Sequence, residues 1–368
     1  MKTLWVGDLV PTEDTNGLFE LQDIETLFGD TVSIFEGNDV AFVNLECTLT
    51  ESDKPIEKYG PALKACANTA MVLKQLGVTH CGLSNNHIFD FGIQGMKDTF
   101  AALEKAGLGH TGFGDDYEDS RKDLVIEKDG EKIAVIAVCE HEYSYALEDR
   151  MGSRPYDEYH TIEDIRKAKS SCDRVIVLYH GGKEHCRYPS PRLRRVAHAM
   201  ARNGADLVIC QHSHCIGSYE QHEGCHILYG QGNFHFIAAR LANGPYQTTW
   251  KTSLAVKYDT KTHEIEFIPM VVASDTSIAL AKGQQKEEIM SAFEDRKEEL
   301  LDGRWKAGWH DFCENMVKTI YFGCVSNAYT EHSTPFQDGQ FNHFLDCEAH
   351  TDACREIYKT LNHKNELD

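Results

Sequence analysis

The sequence predicts an α/β fold over residues 1–275, followed by a mainly helical extension over 280–368. Three observations carry that prediction. Short apolar runs alternate with amphipathic stretches of helical spacing. The apolar runs stop at polar residues, as strands do where they enter loops. After about residue 280 the strand pattern ends and charged, helical periodicity replaces it.

The elements follow in order. Residues 4–6 form a strand that ends at Gly7-Asp8, and residues 40–45 form a second that ends at Glu46. Ala70, Leu73 and Leu76 mark a helix over 66–76. A strand over 78–83 runs into Ser84-Asn85-Asn86-His87-Ile88-Phe89-Asp90. Residues 92–106 are amphipathic and stop at Gly107, which suits a C-cap. Asp129-Gly130, between apolar runs at 124–127 and 132–139, signals a hairpin. A helix over 162–171 precedes a strand over 174–179 that ends at His180-Gly181-Gly182. A helix over 191–203, closed by Gly204, precedes a strand over 206–210 that ends at Gln211-His212-Ser213-His214. A strand over 226–229 leads into Gly230-Gln231-Gly232-Asn233, and strands over about 250–258 and 263–271 flank a turn. Helices over 286–301, 305–328 and 348–362 make up the extension. Its Trp305, Trp309 and Phe312, at helical spacing, are expected to bury it against the α/β unit rather than cap a site.

The formal net charge of −21 argues against nucleic acid or an anionic membrane surface as a partner. An acidic substrate stays compatible, because a bound metal supplies local positive charge. No apolar run approaches the 18 or so residues of a membrane span. The apolar run near Met1 is too short for a signal-peptide core, so a cytoplasmic location is expected. The thirteen cysteines include no Cys-x-x-Cys pair and read as reduced thiols.

Five strand ends carry metal-ligand residue types: Asp8, Glu46, Asn86, His180, and His212 with His214. Strand ends on one edge of an open α/β sheet meet in space. Each piece has a plainer reading. Gly7-Asp8 alone is a turn, and Glu46 alone is a solvated strand end. The segment 84–90 alone is as easily a turn with Asp90 capping the next helix. Together, two carboxylates, a carboxamide and three imidazoles suffice for one or two divalent ions with a bridging carboxylate. Mixed nitrogen and oxygen donors suit Zn, Mn or Fe. His87, beside the ligands, suits a proton donor. Asn85, Glu184 and Asn233 are candidates for substrate contact, with Asn85 better suited to a supporting role.

In this order, Gly7-Asp8, Asn44-Leu45-Glu46, Ser84-Asn85-Asn86-His87 with Asp90-Phe91-Gly92, His180-Gly181-Gly182-Lys183-Glu184, His212-Ser213-His214 and Tyr229-Gly230-Gln231-Gly232-Asn233-Phe234 resemble the CapA (PgsA-like) poly-γ-glutamate capsule biosynthesis family. That family is related to calcineurin-like metallophosphoesterases, and the resemblance covers about residues 3–272. It implies a four-layer α/β/β/α metallophosphatase-like sandwich. It implies one metal on Asp8 and His214, another on Asn86, His180 and His212, and Glu46 between them. It gives His87 the proton to the leaving group and Asp90 the task of orienting it. Val10 stands where the broader phosphoesterases carry a first-strand histidine, and Glu46 replaces an aspartate. Gly181 replaces the family's tryptophan and Gln211 its glycine.

The expected activity is hydrolysis by a metal-activated water of a phosphoester or γ-glutamyl amide bond, on a small-molecule or acidic-polymer substrate. The alternative is a non-catalytic accessory protein of polyglutamate or capsule synthesis that binds metal or an acidic polymer.

Overall fold

A computed structural model describes residues 1–238 and 247–364. Two sheets face each other. The first has the order Ile278–Leu280, Glu264–Val272, Thr252–Asp259, Lys2–Leu9, Val40–Leu45, His80–Gly82, Gly109–Thr111, and Asn233–His235 adds to the end of Lys2–Leu9. The second has the order Tyr219–His222, Cys225–Leu228, Leu207–Gln211, Arg174–His180, Glu131–Cys139, Leu124–Lys128. Parallel strands run through the middle of each sheet; antiparallel strands close both edges of the second sheet and one edge of the first, whose other edge, Gly109–Thr111, is parallel to its neighbour.

Three apolar layers explain this arrangement. Trp5, Phe42, Ile176, Leu178, Ile209 and Val256 pack between the sheets. Leu4, Val43, Leu73 and Leu103 pack the outer face of the first sheet against helices Asn68–Leu76 and Gly92–Ala106. Val177, Val208, Ile165 and Met200 pack the outer face of the second against helices Glu158–Lys169 and Pro191–Arg202. Each central strand is therefore buried on both faces, which is why these strands read as continuous apolar runs. The result is the expected four-layer α/β/β/α sandwich.

The expected elements appear with small shifts. Asp129 and Gly130 turn the 124–139 hairpin with positive φ, at 51° and 78°. Ser190 caps Pro191–Arg202 by accepting from the Leu193 amide. The 305–328 stretch is divided into Trp305–Met316, a π-helical turn Val317–Tyr321 and Phe322–Asn327. Helices Asn16–Leu21, Ile24–Phe28 and Pro335–Asp346, and short strands such as Thr48–Leu49 and Lys64–Ala65, were not anticipated. Trp305 and Trp309 lie in the outer core of the second sheet, as expected of them, and Phe312 packs against it. All thirteen cysteines are free thiols. Among the described residues no helix is long and apolar enough to cross a membrane.

Candidate metal centre

Register places the strand ends side by side. Asp8 is level with Asn44 in the first sheet, and His180 is level with Gln211 in the second. The pairing of Lys2–Leu9 slips between Val6 and Asp8, so Gly7 is the irregular residue. A Cβ on Gly7 would lie 1.9 Å from the Gly232 carbonyl oxygen, and only glycine fits that approach.

The two sheets meet through this polar edge. Asn44 Nδ2 donates to Asp8 Oδ1 at 2.8 Å and lies 3.2 Å from His180 Nδ1. The His212 amide donates to Asp8 Oδ2 at 3.2 Å. His180 Nε2 lies 2.8 Å from Asn86 Oδ1. The His180 contacts leave one ring nitrogen facing Asn44 and the other facing Asn86 and Glu46. His214 Nδ1 is 2.8 Å from Asn233 Oδ1 and 3.4 Å from Asp8 Oδ2. All six expected ligands thus come to one place. His212 and His214 both adopt left-handed backbone, with φ of 83° and 53°. Such strain clusters where the surroundings hold a functional arrangement in place.

Several donor atoms of this edge are buried without a partner. Glu46 is 0 % exposed, and neither carboxylate oxygen has a hydrogen-bond partner. His180 Nε2 comes within 3.3 Å of it without hydrogen-bond alignment. His212 Nδ1 is also buried without a partner. Ligand atoms of Glu46, His212 and His214 lie within 4.8 Å of one another. A buried carboxylate in this state is costly unless a cation meets it, so the residues fit a metal.

The electrostatics agree. Burial pulls His214 down, but Glu46, Asp8 and Glu184 outweigh it and push it up to about 9. Burial raises Asp8, yet the His214 hydrogen bond and the fields of His180 and His214 leave it below its ordinary value. Burial, with His141, His180 and His214 nearby, holds His212 well below its ordinary value. The pocket carries negative charge that calls for positive charge.

His87 stands beside the donors. Its Nδ1 is 2.7 Å from Asp90 Oδ2, which leaves Nε2 as the other working nitrogen. Lys58 pairs with Asp90 and lies 3.1 Å from His87 Nδ1, and the Leu63 amide donates to Asp90 at 2.7 Å. Helix Gly92–Ala106 has no side-chain cap, so the capping role open to Asp90 is not taken up. Asn85 is buried with its carboxamide engaged by protein. It donates to Asn44 and to the Leu45 carbonyl and accepts from the His87 and Ile88 amides. Those bonds occupy the Asn85 carboxamide, as a supporting role for the residue requires. Glu184 and Asn233 stay near the centre. Glu184 lines both adjoining cavities, and Asn233 Nδ2 is buried without a partner.

A cavity of 330 Å³ opens on Asn86, His87 and His212 and is walled by Lys58, Lys183 and His141. Met316, Ile320, Phe344 and Ala349 of the extension complete it. A larger groove of 1140 Å³ reaches His214 and His87 from the other side. Sequence reasoning missed Asn44, Lys58, His141 and Lys183. Asn44 was visible inside its motif, whereas Lys58 sits in an irregular loop that gives no signal. Gly181 also finds its reason. A Cβ there would lie 2.4 Å from Glu140 Oε2, which accepts from the Gly182 amide at 2.7 Å.

Fold and centre together define a two-sheet α/β/β/α sandwich with metal-ligand residues gathered at one edge. The chain belongs to the bacterial capsule synthesis protein PGA_cap family, whose description matches residues 2–238. It is 28% identical over 298 residues to PGA biosynthesis protein CapA of Bacillus subtilis (strain 168), covering 78% of this chain and 75% of that one. It is 28% identical over 242 residues to capsule biosynthesis protein CapA of Bacillus anthracis, covering 63% and 58%. A probable polyglutamine synthesis accessory protein of Mycobacterium tuberculosis is 28% identical over 237 residues, covering 60% and 62%. The matched stretches thus span under two thirds of the last two relatives. Among solved structures, 5′-nucleotidase from Candida albicans SC5314 aligns with a TM-score of 0.41 at 8% identity, covering 81% of this chain and 58% of that one.

Proposed function

We propose that this chain is a metal-dependent hydrolase acting on an anionic substrate, a phosphoester or a γ-glutamyl amide, in poly-γ-glutamate or capsule metabolism. One observation carries the reading. The unpartnered Glu46 carboxylate clusters with His212 and His214, and His212 lines the same cavity as His87, a histidine already oriented by a carboxylate. Asp8, Glu46, Asn86, His180, His212 and His214 are the ligands of this proposal. Divalent ions at such a centre supply a water of lowered pKa and charge for a developing oxyanion.

The chain's own residues do the rest. Asp90 fixes the ring of His87 and its Nδ1 proton, so that Nε2 can deliver a proton to the departing group. Lys58 neutralises the buried Asp90. The buried Lys183 lines the cavity and makes no ion pair among the described residues. It offers a counter-charge to phosphate or carboxylate. The 330 Å³ cavity sits near the lower end of ligand pockets, so a small molecule or a chain terminus fits it better than the middle of a polymer.

The test is metal analysis of the purified chain, with a screen of phosphoesters and γ-glutamyl peptides. Bound metal and turnover of one class support the proposal. Bound metal without turnover of either class overturns it and favours an accessory role. One observation speaks for that second reading. Val10, buried and apolar, stands two residues after Asp8 on the ligand-bearing strand end, so a first metal there has one donor fewer.

A further inference from the structure

The helical extension holds a second cluster of metal-ligand side chains. Helix Pro335–Asp346 ends at Cys347, where the backbone turns extended (φ −72°, ψ 118°), and helix Glu348–Lys364 starts at once. That corner gathers His343 from the last turn of one helix, Cys347 from the junction and His350 from the first turn of the next. Ligand atoms of the three lie within 4.8 Å of one another. Cys347 is 1 % exposed, and His350 is buried as well.

The imidazoles are held as ligating histidines are held. His343 Nδ1 is 2.7 Å from Glu142 Oε1, and His350 Nδ1 is 2.6 Å from the Tyr321 hydroxyl. Metal-bound histidines commonly use the second ring nitrogen in this way, which fixes ring orientation. Nε2 is then the nitrogen left on each ring. Both rings line the 330 Å³ cavity.

From the sandwich, His141 approaches the thiol of this group of three. Its Nδ1 lies 3.6 Å from Cys347 Sγ. A tetrahedral zinc site with Zn–S about 2.3 Å and Zn–N about 2.0 Å has a nitrogen–sulfur edge of about 3.5 Å. The ring is buried, and unlike those of His343 and His350 its second nitrogen, Nε2, has no partner. A thiol and three imidazoles select a borderline ion such as zinc and exclude calcium and magnesium.

We propose that His343, Cys347 and His350, with His141, form a second site for a zinc-like divalent ion that clamps the helical extension over the cavity. Three of the four donors lie beyond the stretch that matches the family. The clamp ties the corner of the two helices to the loop after strand Glu131–Cys139, on the wall shared with His212. The ring centroids of His141 and His212 are 4.1 Å apart, so the second ion neighbours the first centre. The proposal stands independently of whether the first centre hydrolyses anything.

Cobalt(II) titration of the full chain tests it, because a cobalt–thiolate bond gives a near-ultraviolet charge-transfer absorption. The six proposed ligands of the first centre include no sulfur, so that band reports the second site alone. The expected result is a thiolate band at saturating cobalt. It disappears in Cys347→Ser, persists in Cys354→Ser and in Glu46→Gln, and needs at least about tenfold more cobalt in His343→Gln. A wild-type protein with no thiolate band at saturation overturns the proposal, and so does a band that survives Cys347→Ser. Should Cys347→Ser not fold, the wild-type spectrum and the His343→Gln titration decide the matter. An unchanged titration in His343→Gln counts against the site.

Discussion

Replacing Asp90 by asparagine probes the buried support of His87. Asp90 is 0 % exposed, and the side chain of its partner Lys58 is 4 % exposed. Burial already lowers Lys58 below its ordinary value, and Asp90 is the first group that opposes the fall. Without the carboxylate the ammonium is stranded. Breaking such a buried pair from one side costs about 3–5 kcal/mol. The loss has a ceiling, because the lysine can shed its proton. From an ordinary value of 10.5, deprotonation at pH 7 costs about 5 kcal/mol. Asp90→Asn should therefore destabilise the chain by about 3–5 kcal/mol at pH 7 in urea unfolding. The penalty should also shrink as pH rises. A neutral Lys58 in the folded variant means that the unfolded state binds more protons, and stability then gains up to about 1.4 kcal/mol per pH unit. Lys58→Met in the Asp90→Asn background should recover most of the loss. A penalty under about 1 kcal/mol with no pH slope refutes this account of the Lys58–Asp90–His87 support.

Further outcomes follow from other residues. Val10→His places an imidazole beside Asp8 and should raise the metal content at limiting metal; unchanged content in a folded variant counts against Asp8 as a ligand. Lys183→Met should raise KM for an anionic substrate by about tenfold or more while kcat changes less, read from steady-state kinetics. His235, buried against Phe19 and Phe28, is pulled down to about 4 by burial, against 6.5 ordinarily. Its folded form refuses a proton that the unfolded chain accepts. Stability should thus be full above pH 6.5 and fall as pH drops towards 4, by up to about 3 kcal/mol. His80, also lowered to about 4, acts in the same direction, and His235→Gln should flatten the acid limb of stability against pH.

The strands and the six expected ligands were legible because they obey local rules. Val40–Leu45 and Arg174–His180 are apolar runs buried on both faces, and each stops where a polar side chain turns towards the shared edge. Parallel register then does what the sequence implies, aligning Asp8 with Asn44 and His180 with Gln211. What stayed hidden depends on packing between distant segments. Lys58 reaches Asp90 from an irregular loop, so no periodicity announces it. His141 follows a strand end, and nothing in its local sequence points to Cys347, which the extension brings to it. The tryptophans of the extension were recognisable as core, but Met316, Ile320 and His350 facing the cavity were not. Helical spacing tells which residues share a face, not what that face meets. Gly181 shows the same limit, since its reason is the carboxylate of Glu140.

The central claim is that the Glu46 cluster holds a metal needed for hydrolysis and that His87 acts after the metal is bound. Metal content and hydrolysis rate, measured together on wild type, Glu46→Gln and His87→Ala, test it most directly. The account predicts that Glu46→Gln loses first-centre metal and turnover together. It predicts that His87→Ala keeps its metal and loses about 10²–10⁴-fold in rate. Full metal content in Glu46→Gln, or wild-type turnover in His87→Ala, contradicts it.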